Sequence, residues 1–548
     1  MNMFLTNKTR LKIKDIVKRI SINEPVSLEE RIYVEKFAKH NSTIWTWLKK
    51  ANSLRRYGKQ NSDGINGLIQ SLGLDGLGSR LKEDLDCLLY PGKDWVLPRD
   101  GVTDIIIIGG GMCGMVAWLA LTSGGIKNIR ILDRSPKGKE GPWLTYARME
   151  TLRSPKNLTG PAFGHGALTF QAWYRAQHGE AAWEKLDKIP RPMWMNYLKW
   201  YREILEIPIE NGVSVDHLEP KGDLLSLKVS GAENGTIVCR KVIFATGRDG
   251  TGGPNIPGFV DNIPQKFWAH SADKIDFEAL KGKRVAVIGV GASAVDNSAE
   301  ALEHGAAEVR HLIRRKEMPT INKMMGIGSY GFIAGYAALP DEWRWRFMQY
   351  SFATQTPPPH GSTTRVSRHE NAYFHFGKET IRIEQQGKSI EIFFADGSSY
   401  AADYLILATG FTIDPMARTE FGKTAREILL WQDMYVPPAG EENEDLGRFP
   451  YLNSDFTFQE KKVGIAPWLR NVYCFNYGAA VSLGKVSGDI PGISEGAAWL
   501  AREVAAKLYA EDVELHWQGM LNYAKPELDG TEWTPTELKQ KTRWGRVA

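Results

Sequence analysis

Two glycine-rich turns, each preceded by an apolar run and followed by a helical stretch, constrain this chain more than any other feature. The first is Gly109-Gly110-Gly111-Met112-Cys113-Gly114, directly after the apolar residues 105–108; the second is Gly289-Val290-Gly291-Ala292-Ser293-Ala294, directly after residues 285–288. In the order strand, G-x-G-x-x-G/A, helix, the glycines permit a tight turn and let backbone N–H groups approach a pyrophosphate at the positive helix end. Each turn is followed much later by a strand ending in Ala-Thr-Gly, at Ala245-Thr246-Gly247 and at Ala408-Thr409-Gly410. The pattern of strand, glycine turn, helix, second strand, long excursion, β-meander and Ala-Thr-Gly strand therefore occurs twice, which predicts an α/β chain with two Rossmann-like dinucleotide-binding domains.

The second copy lies inside the first, because a strand over 472–477 and a helix over 493–509 resume after it. The expected boundaries are a helical N-terminal extension over 1–100, a first dinucleotide domain over 101–261 that resumes over 415–512, and an inserted second domain over 262–414. A tail over 513–548 completes the chain. The inserted domain carries an aromatic-rich helical insertion over 318–376, and the first domain an aromatic excursion over 162–208; core packing accounts for most of those rings. In the extension, Ile32, Val34, Phe37, Ile44, Trp45 and Leu48 are spaced to form an apolar stripe.

The residues after each second strand separate the two nucleotides. Asp133 ends the strand 24 residues beyond Gly109, where a carboxylate accepts hydrogen bonds from a free ribose and repels a 2′-phosphate, so this site suits FAD or NAD. At the matching position of the second copy stand Arg314, Arg315 and Lys316. Guanidinium groups there would clamp a 2′-phosphate, which points to NADP(H).

Other classes are disfavoured. A formal charge of +5 on 548 residues calls for no nucleic acid. The apolar stretch 105–121 is at the short limit for a membrane span, and its glycines belong to the nucleotide turn. Residues 1–20 carry Lys and Arg throughout without an apolar core, so a cytoplasmic location is expected. The cysteines are Cys87, Cys113, Cys239 and Cys474. Their spacing offers neither a metal-ligand cluster nor the close dithiol of a disulfide reductase.

On these residues the chain resembles the two-dinucleotide (class B) flavin-dependent monooxygenases over about residues 103–512, and within them the flavin-containing and N-hydroxylating members. The run from Asp403 to Phe411 is similar to the acid-x3-Leu-Ala-Thr-Gly-aromatic motif of N-oxygenating members. Glu140-Gly141-Pro142-Trp143 resembles the Gly-x-Trp segment beside the flavin, and Leu152 to Lys156 the segment bordering its ring, with Arg153 where the family has Asn. His270-Ser271 resembles the end of the Baeyer–Villiger fingerprint, whose earlier positions are here Pro264 and Lys266.

The resemblance implies FAD at the first site and NADPH in the inserted domain. It also implies oxygen transfer from O2 through a flavin C4a-(hydro)peroxide to a small soluble amine or amino acid, with Baeyer–Villiger or sulfur oxygenation and a flavin-dependent reductase as alternatives. The residues implied are Gly109, Gly111, Gly114, Asp133 and Trp143 for FAD, and Gly289, Gly291, Ser293, Arg314 and Arg315 for NADPH. Arg153 is the candidate to stabilise developing negative charge or a substrate carboxylate, and His270 the candidate contact to the nicotinamide. No metal and no membrane partner are expected, and the N-terminal extension is a candidate surface for self-association.

Overall fold

The computed structural model describes residues 7–39, 44–45, 47–49, 51–52, 73–248, 250–533 and 535. Its first sheet has seven strands, in the order β5 (Ile209–Asn211), β2 (Ile129–Asp133), β1 (Thr103–Ile108), β8 (Gly235–Phe244), β7 (Leu224–Gly231) and β6 (Val213–Lys221), with β19 (Val472–Cys474) also paired to β8. The pairs around β1 and β2 are parallel, as is β19 on β8, whereas β6, β7 and β8 form an antiparallel meander. Parallel strands covered on both faces read as continuous apolar runs, and β1 is Thr-Asp-Ile-Ile-Ile-Ile with its last five residues buried.

The second sheet is wholly parallel: β10 (Trp268–His270), β17 (Tyr404–Leu407), β11 (Arg284–Ile288), β12 (Glu308–Ile313) and β13 (Ala372–Phe376). A meander of β14 (Thr380–Gln386), β15 (Ser389–Phe394) and β16 (Ser399–Ala402) lies between β13 and β17. β13 falls within the stretch read from sequence as a helical insertion. Its residues Ala-Tyr-Phe-His-Phe pair with β12 as an edge strand, and two-residue periodicity in an aromatic-rich run is masked by the aromatics around it.

The chain crosses between the sheets twice, and the crossings are zipped together. β9 (Gly252–Pro254) follows the first Ala-Thr-Gly and β18 (Phe411–Ile413) the second; they pair antiparallel, Gly252 opposite Ile413 and Pro254 opposite Phe411. A Cβ on Gly252 would lie 1.8 Å from the Thr412 carbonyl oxygen, so only glycine fits there. Asp414 N–H donates to Thr251 O (2.9 Å) and Asn255 N–H to Gly410 O (2.9 Å).

The N-terminal extension divides in two. α1 (Asn7–Ser21) and α2 (Leu28–Ala38), the latter opened by a Ser27–Glu30 capping box, share a small core of Ile13, Ile16, Ile20, Val34 and Ile44. Of the stripe read from sequence, Val34 and Ile44 are buried, whereas Ile32 and Trp45 are exposed. Residues 40–43, 46 and 50 lie outside the described residues. A further helix, α3 (73–87), sends Leu77, Leu81 and Leu85 into the large core of the first sheet. That core also takes in the aromatic excursion, including Phe170, Trp173, Trp194 and Tyr197.

The far end of the chain is fixed by charge. Helix Ile493–Glu511 ends at Asp512, which is 3% exposed and accepts from Arg240 (1% exposed) at 2.8 Å and from Arg99 at 2.8 Å. Lys241 beside it reaches Glu511 and Asn471. The stretch expected to be a plain tail begins with another helix, Val513–Asn522, and its residues 534 and 536–548 lie outside the described set. Removing one partner of a buried ion pair strands the other charge. Asp512→Ala is expected to lower the unfolding free energy by about 3 kcal/mol in equilibrium urea denaturation, and a change within error of zero would refute this account of the latch.

Candidate functional site

The first glycine turn is shaped by close backbone approach. Gly109 has φ +106°, and a Cβ there would lie 2.6 Å from the Ala245 carbonyl oxygen of the first Ala-Thr-Gly; one on Gly114 would lie 1.9 Å from Gly109 O. Gly111, in contrast, meets nothing nearer than 3.9 Å. It caps α4 (Met112–Ser123) without any side-chain hydrogen bond, so the first N–H groups of that helix have no side-chain acceptor at the cap. Asp133 is buried at the end of β2, one oxygen accepting from Gly110 N–H (2.7 Å) and the other from Ser135 N–H (2.7 Å). Beside the turn opens a cleft of about 170 Å³ bordered by Gly110, Gly111, Lys137, Lys199 and Arg202. Glu140 on the same wall is held by Arg202 (2.7 Å) and Asn211 (2.8 Å). Trp143 is half-buried, edge-on to Trp194 with ring centres 6.1 Å apart.

The second turn repeats this geometry. Gly289 has φ +139°, and a Cβ there would lie 2.4 Å from Ala408 O of the second Ala-Thr-Gly. Gly291 caps α7 (Ala292–Glu303), again with no side-chain hydrogen bond, and Ser293 is exposed on its first turn. The buried His311 bonds the Gly289 carbonyl through Nε2 (2.7 Å) and stacks on Phe374. Burial pushes its pKa down to about 4, so the ring is neutral near pH 7 and its Nε2–H is the donor. At the end of β12, Arg314 is exposed and makes no hydrogen bond or ion pair among the described residues. Arg315 is engaged by Gln355 Oε1 (3.0 Å) and Ala353 O (2.7 Å). Gln355 has φ +57° and ψ +146°, a conformation costing a non-glycine residue roughly 1–3 kcal/mol. Its amide nitrogen comes within 3.9 Å of the Cβ position of Gly291.

The two turns are joined by side chains that cross between the sheets. Arg153, exposed on β3 (Thr151–Pro155), donates to Pro357 O of the inserted unit. Arg148 donates to Ser271 O and to Asp273 O (2.7 Å). Phe411 lies between Tyr146 (6.1 Å) and His270 (5.7 Å). His270, the candidate nicotinamide contact, is held by backbone groups. The ring is buried, its Nε2 bonds Gly410 O (2.9 Å) and its Nδ1 accepts from Ala272 N–H (3.1 Å), so both nitrogens are occupied by backbone. Burial also lowers its pKa, which favours the neutral donor–acceptor tautomer that these bonds require.

Several residues around the returning C-terminal segment were not singled out from sequence. The fully buried Asn476 donates to Phe244 O (3.0 Å) and accepts from Gly478 N–H (2.8 Å), tying the first Ala-Thr-Gly strand to the returning C-terminal segment. Arg248 lies 4.0 Å over the Tyr477 ring. Asp489, in the Gly-Asp pair just before helix Ile493–Glu511, faces Lys485 at 3.8 Å. A Gly-Asp ahead of a helix was the available signal. The Cys113 thiol is buried and pushed up to about 12, by desolvation first and Asp489 second, which makes it an unreactive core group. Among the described residues no group of side chains could hold a metal ion, and no helix is long and apolar enough to cross a membrane.

Residues 106–326 match the family described as pyridine nucleotide-disulphide oxidoreductase, and residues 4–85 match a domain of unknown function. The FAD-dependent urate hydroxylase of Xanthomonas campestris pv. campestris is 35% identical over 462 residues, covering 83% of this chain and 98% of that protein. Among solved structures, an ornithine N-hydroxylase from Kutzneria sp. 744 superposes with TM-score 0.57 at 17% identity, over 75% of this chain and all of that one (100%). The ornithine hydroxylase of Pseudomonas aeruginosa gives 0.54 at 15% identity, over 75% and 99%. These superpositions establish the shared fold.

Two outcomes follow from the geometry. Gly114→Ala places a methyl against Gly109 O, so the purified variant is expected to lose most bound flavin, read as the ratio of visible to ultraviolet absorbance; full flavin content would refute the cradle. Asp296 on α7 is buried, and desolvation pushes its pKa up to about 6 from 3.8. The folded state therefore holds the extra proton, and stability declines as pH rises from about 4 through 6. Asp296→Asn should raise the melting temperature at pH 7.5, by an amount worth up to about 3 kcal/mol, with the gain vanishing near pH 4; a pH-independent difference would contradict the assignment.

Proposed function

The chain belongs to the flavin-dependent monooxygenases, the family of its urate hydroxylase relative, and from that premise we propose that it uses NADPH and FAD to place one oxygen atom of O2 on a small anionic heterocycle of the urate class. The observation that carries this reading is the relative itself, matched over 98% of its length. The residues present fit both dinucleotides: glycines that any Cβ would obstruct, two helix N-termini capped only by glycine, an acid at the first strand end and an unpaired Arg314 at the second. In this reading Gly109, Gly111, Gly114 and Asp133 hold FAD, with Trp143 beside it. Gly289, Gly291, Ser293, Arg314 and Arg315 hold NADPH, Arg315 also anchoring Gln355 across the turn. When bound, the pair would supply a hydride donor and the group that activates O2.

The protein's task is orientation, exclusion of water and charge. Urate is an anion at neutral pH; Arg153 presents a guanidinium group at the junction of the two units, and Arg248 presents another over Tyr477. Such permanent cations would hold a planar anion and stabilise negative charge that grows during the reaction. The Pro357–Pro359 turn, gripped by Arg153, would help close the junction from solvent.

N-oxygenation of a small soluble amine or amino acid is the second reading, favoured by the fold shared with the ornithine hydroxylases. The Asp403 motif adds little to it. The Asp403 carboxylate is held by Arg284 through its side chain (2.7 and 3.2 Å) and its backbone N–H (2.9 Å), at the strand end opposite Ala-Thr-Gly, and so braces the sheet.

The test supplies NADPH with urate, or with ornithine and other small amines, under 18O2, and measures product mass. A single label on the urate product supports the first reading; label on an amine nitrogen replaces it with the second. Label in neither, with electrons passed to a quinone, would overturn both. Arg314→Ala should weaken NADPH binding by about tenfold or more, the value of a charge-assisted hydrogen bond, while NADH binding stays within twofold (roughly 0.4 kcal/mol). Equal losses would remove the assignment of the 2′-phosphate.

A further inference from the structure

Arg365 sits where the two nucleotide units press together, and no step of the proposed chemistry uses it. It lies on the helix His360–Ser367, packed on α7, and is 5% exposed. A buried guanidinium persists only where its donors are matched, and here the matching spans both units. Nε and one terminal nitrogen grip Glu303 (3.1 and 2.5 Å), and the same terminal nitrogen reaches Glu300 (3.1 Å), both on α7. The other donates to the backbone carbonyl of Arg148 (3.2 Å), and Glu150 stands 3.6 Å from Nε; both belong to the segment of the first unit that leads into β3.

Arg148 returns the grip. Its guanidinium donates to its own unit at Tyr146 O (2.7 Å) and to the inserted unit at Ser271 O and Asp273 O (2.7 Å), and stacks over Phe277 at 5.2 Å. Each unit thus extends one arginine into the other, and the second arginine binds the carbonyl of the first. Arg191 secures the same segment from behind, donating to Met149 O (2.9 Å) and Trp143 O. Five residues after Arg148, Arg153 makes a third crossing to Pro357.

We propose that Arg365 and Arg148 form an interdomain clasp that fixes α7, whose N-terminus faces the second dinucleotide, against residues 146–155, which border the first. Arg365 is then a positioning residue for hydride transfer between the two bound cofactors. This rests on the reading that NADPH reduces a flavin in this chain. Hydride transfer needs the donor and acceptor atoms at near-contact, so a displacement of about 1 Å costs up to a hundredfold in rate while leaving each binding cradle whole.

The test is anaerobic rapid mixing of the FAD-loaded full-length protein with NADPH, comparing wild type with Arg365→Gln and Arg365→Lys. The expected result is full FAD content, an NADPH dissociation constant within about threefold and a limiting reduction rate tenfold to a hundredfold lower. The isotope effect with deuterated NADPH should grow as transfer becomes rate-limiting. A folded Arg365→Gln variant that reduces its flavin at the wild-type rate overturns the proposal, as does one whose whole defect lies in NADPH affinity. Should that variant not fold, Arg148→Lys, which keeps the charge but cannot span the Ser271 and Asp273 carbonyls, must show the same split between rate and affinity. Amide exchange gives an answer independent of the coenzyme reading: in either variant, 146–155 and 292–303 should lose protection together, and loss in one segment alone overturns the clasp. A wild-type flavin that NADPH does not reduce would sink the functional reading instead, leaving the exchange result to decide the clasp.

Discussion

Everything in this molecule that concerns two nucleotides depends on the antiparallel crossing of β9 and β18. A domain inserted between strands of another has two connections, and two independent connections allow it to swing. Here they are hydrogen-bonded to each other immediately after the two Ala-Thr-Gly strand ends, with Gly252 against the Thr412 carbonyl. Because Gly109 packs on Ala245 and Gly289 on Ala408, each glycine turn is referenced to the strand that leads into the crossing. The distance between the turns is thereby set through backbone contacts, which deform less than side chains.

Charge is used differently at two of the places where it is buried. The pairing of Arg240 and Lys241 with Glu511, Asp512 and Asn471 joins the returning C-terminal helix to the first sheet within one unit. The arginines at the junction join units to each other. Buried ion pairs contribute little net stability because desolvation offsets their attraction. Their directional demands are strict, however, and guanidinium forks aimed at carbonyls tolerate few arrangements. At the junction this specificity matters more than stabilisation, since apolar packing there would allow sliding.

The parts of the fold legible in the sequence were those with short, regular signatures. The glycine turns and the two strands ending in Ala-Thr-Gly announce themselves through backbone requirements that few residues meet. The same holds for Asp133, whose place at a strand end is fixed by spacing. What escaped notice depends on contacts distant in sequence. Asn476 matters because it meets Phe244, and Arg365 because it meets Arg148; neither has a local pattern to betray it. His270 ends a partial family motif, and the partner that holds it, the Gly410 carbonyl, is distant in sequence. β13 was hidden by composition, since aromatic residues serve excursions and edge strands equally well.

The extension before the first sheet has two unlike parts: a pair of helices closed around its own small core, and α3, whose leucines belong to the core of the enzyme body. α3 is thus a dowel set into the body, with the helical pair a separate headpiece beyond it. Losing the dowel would open a hollow beside the first sheet, because Leu77, Leu81 and Leu85 fill that part of its core.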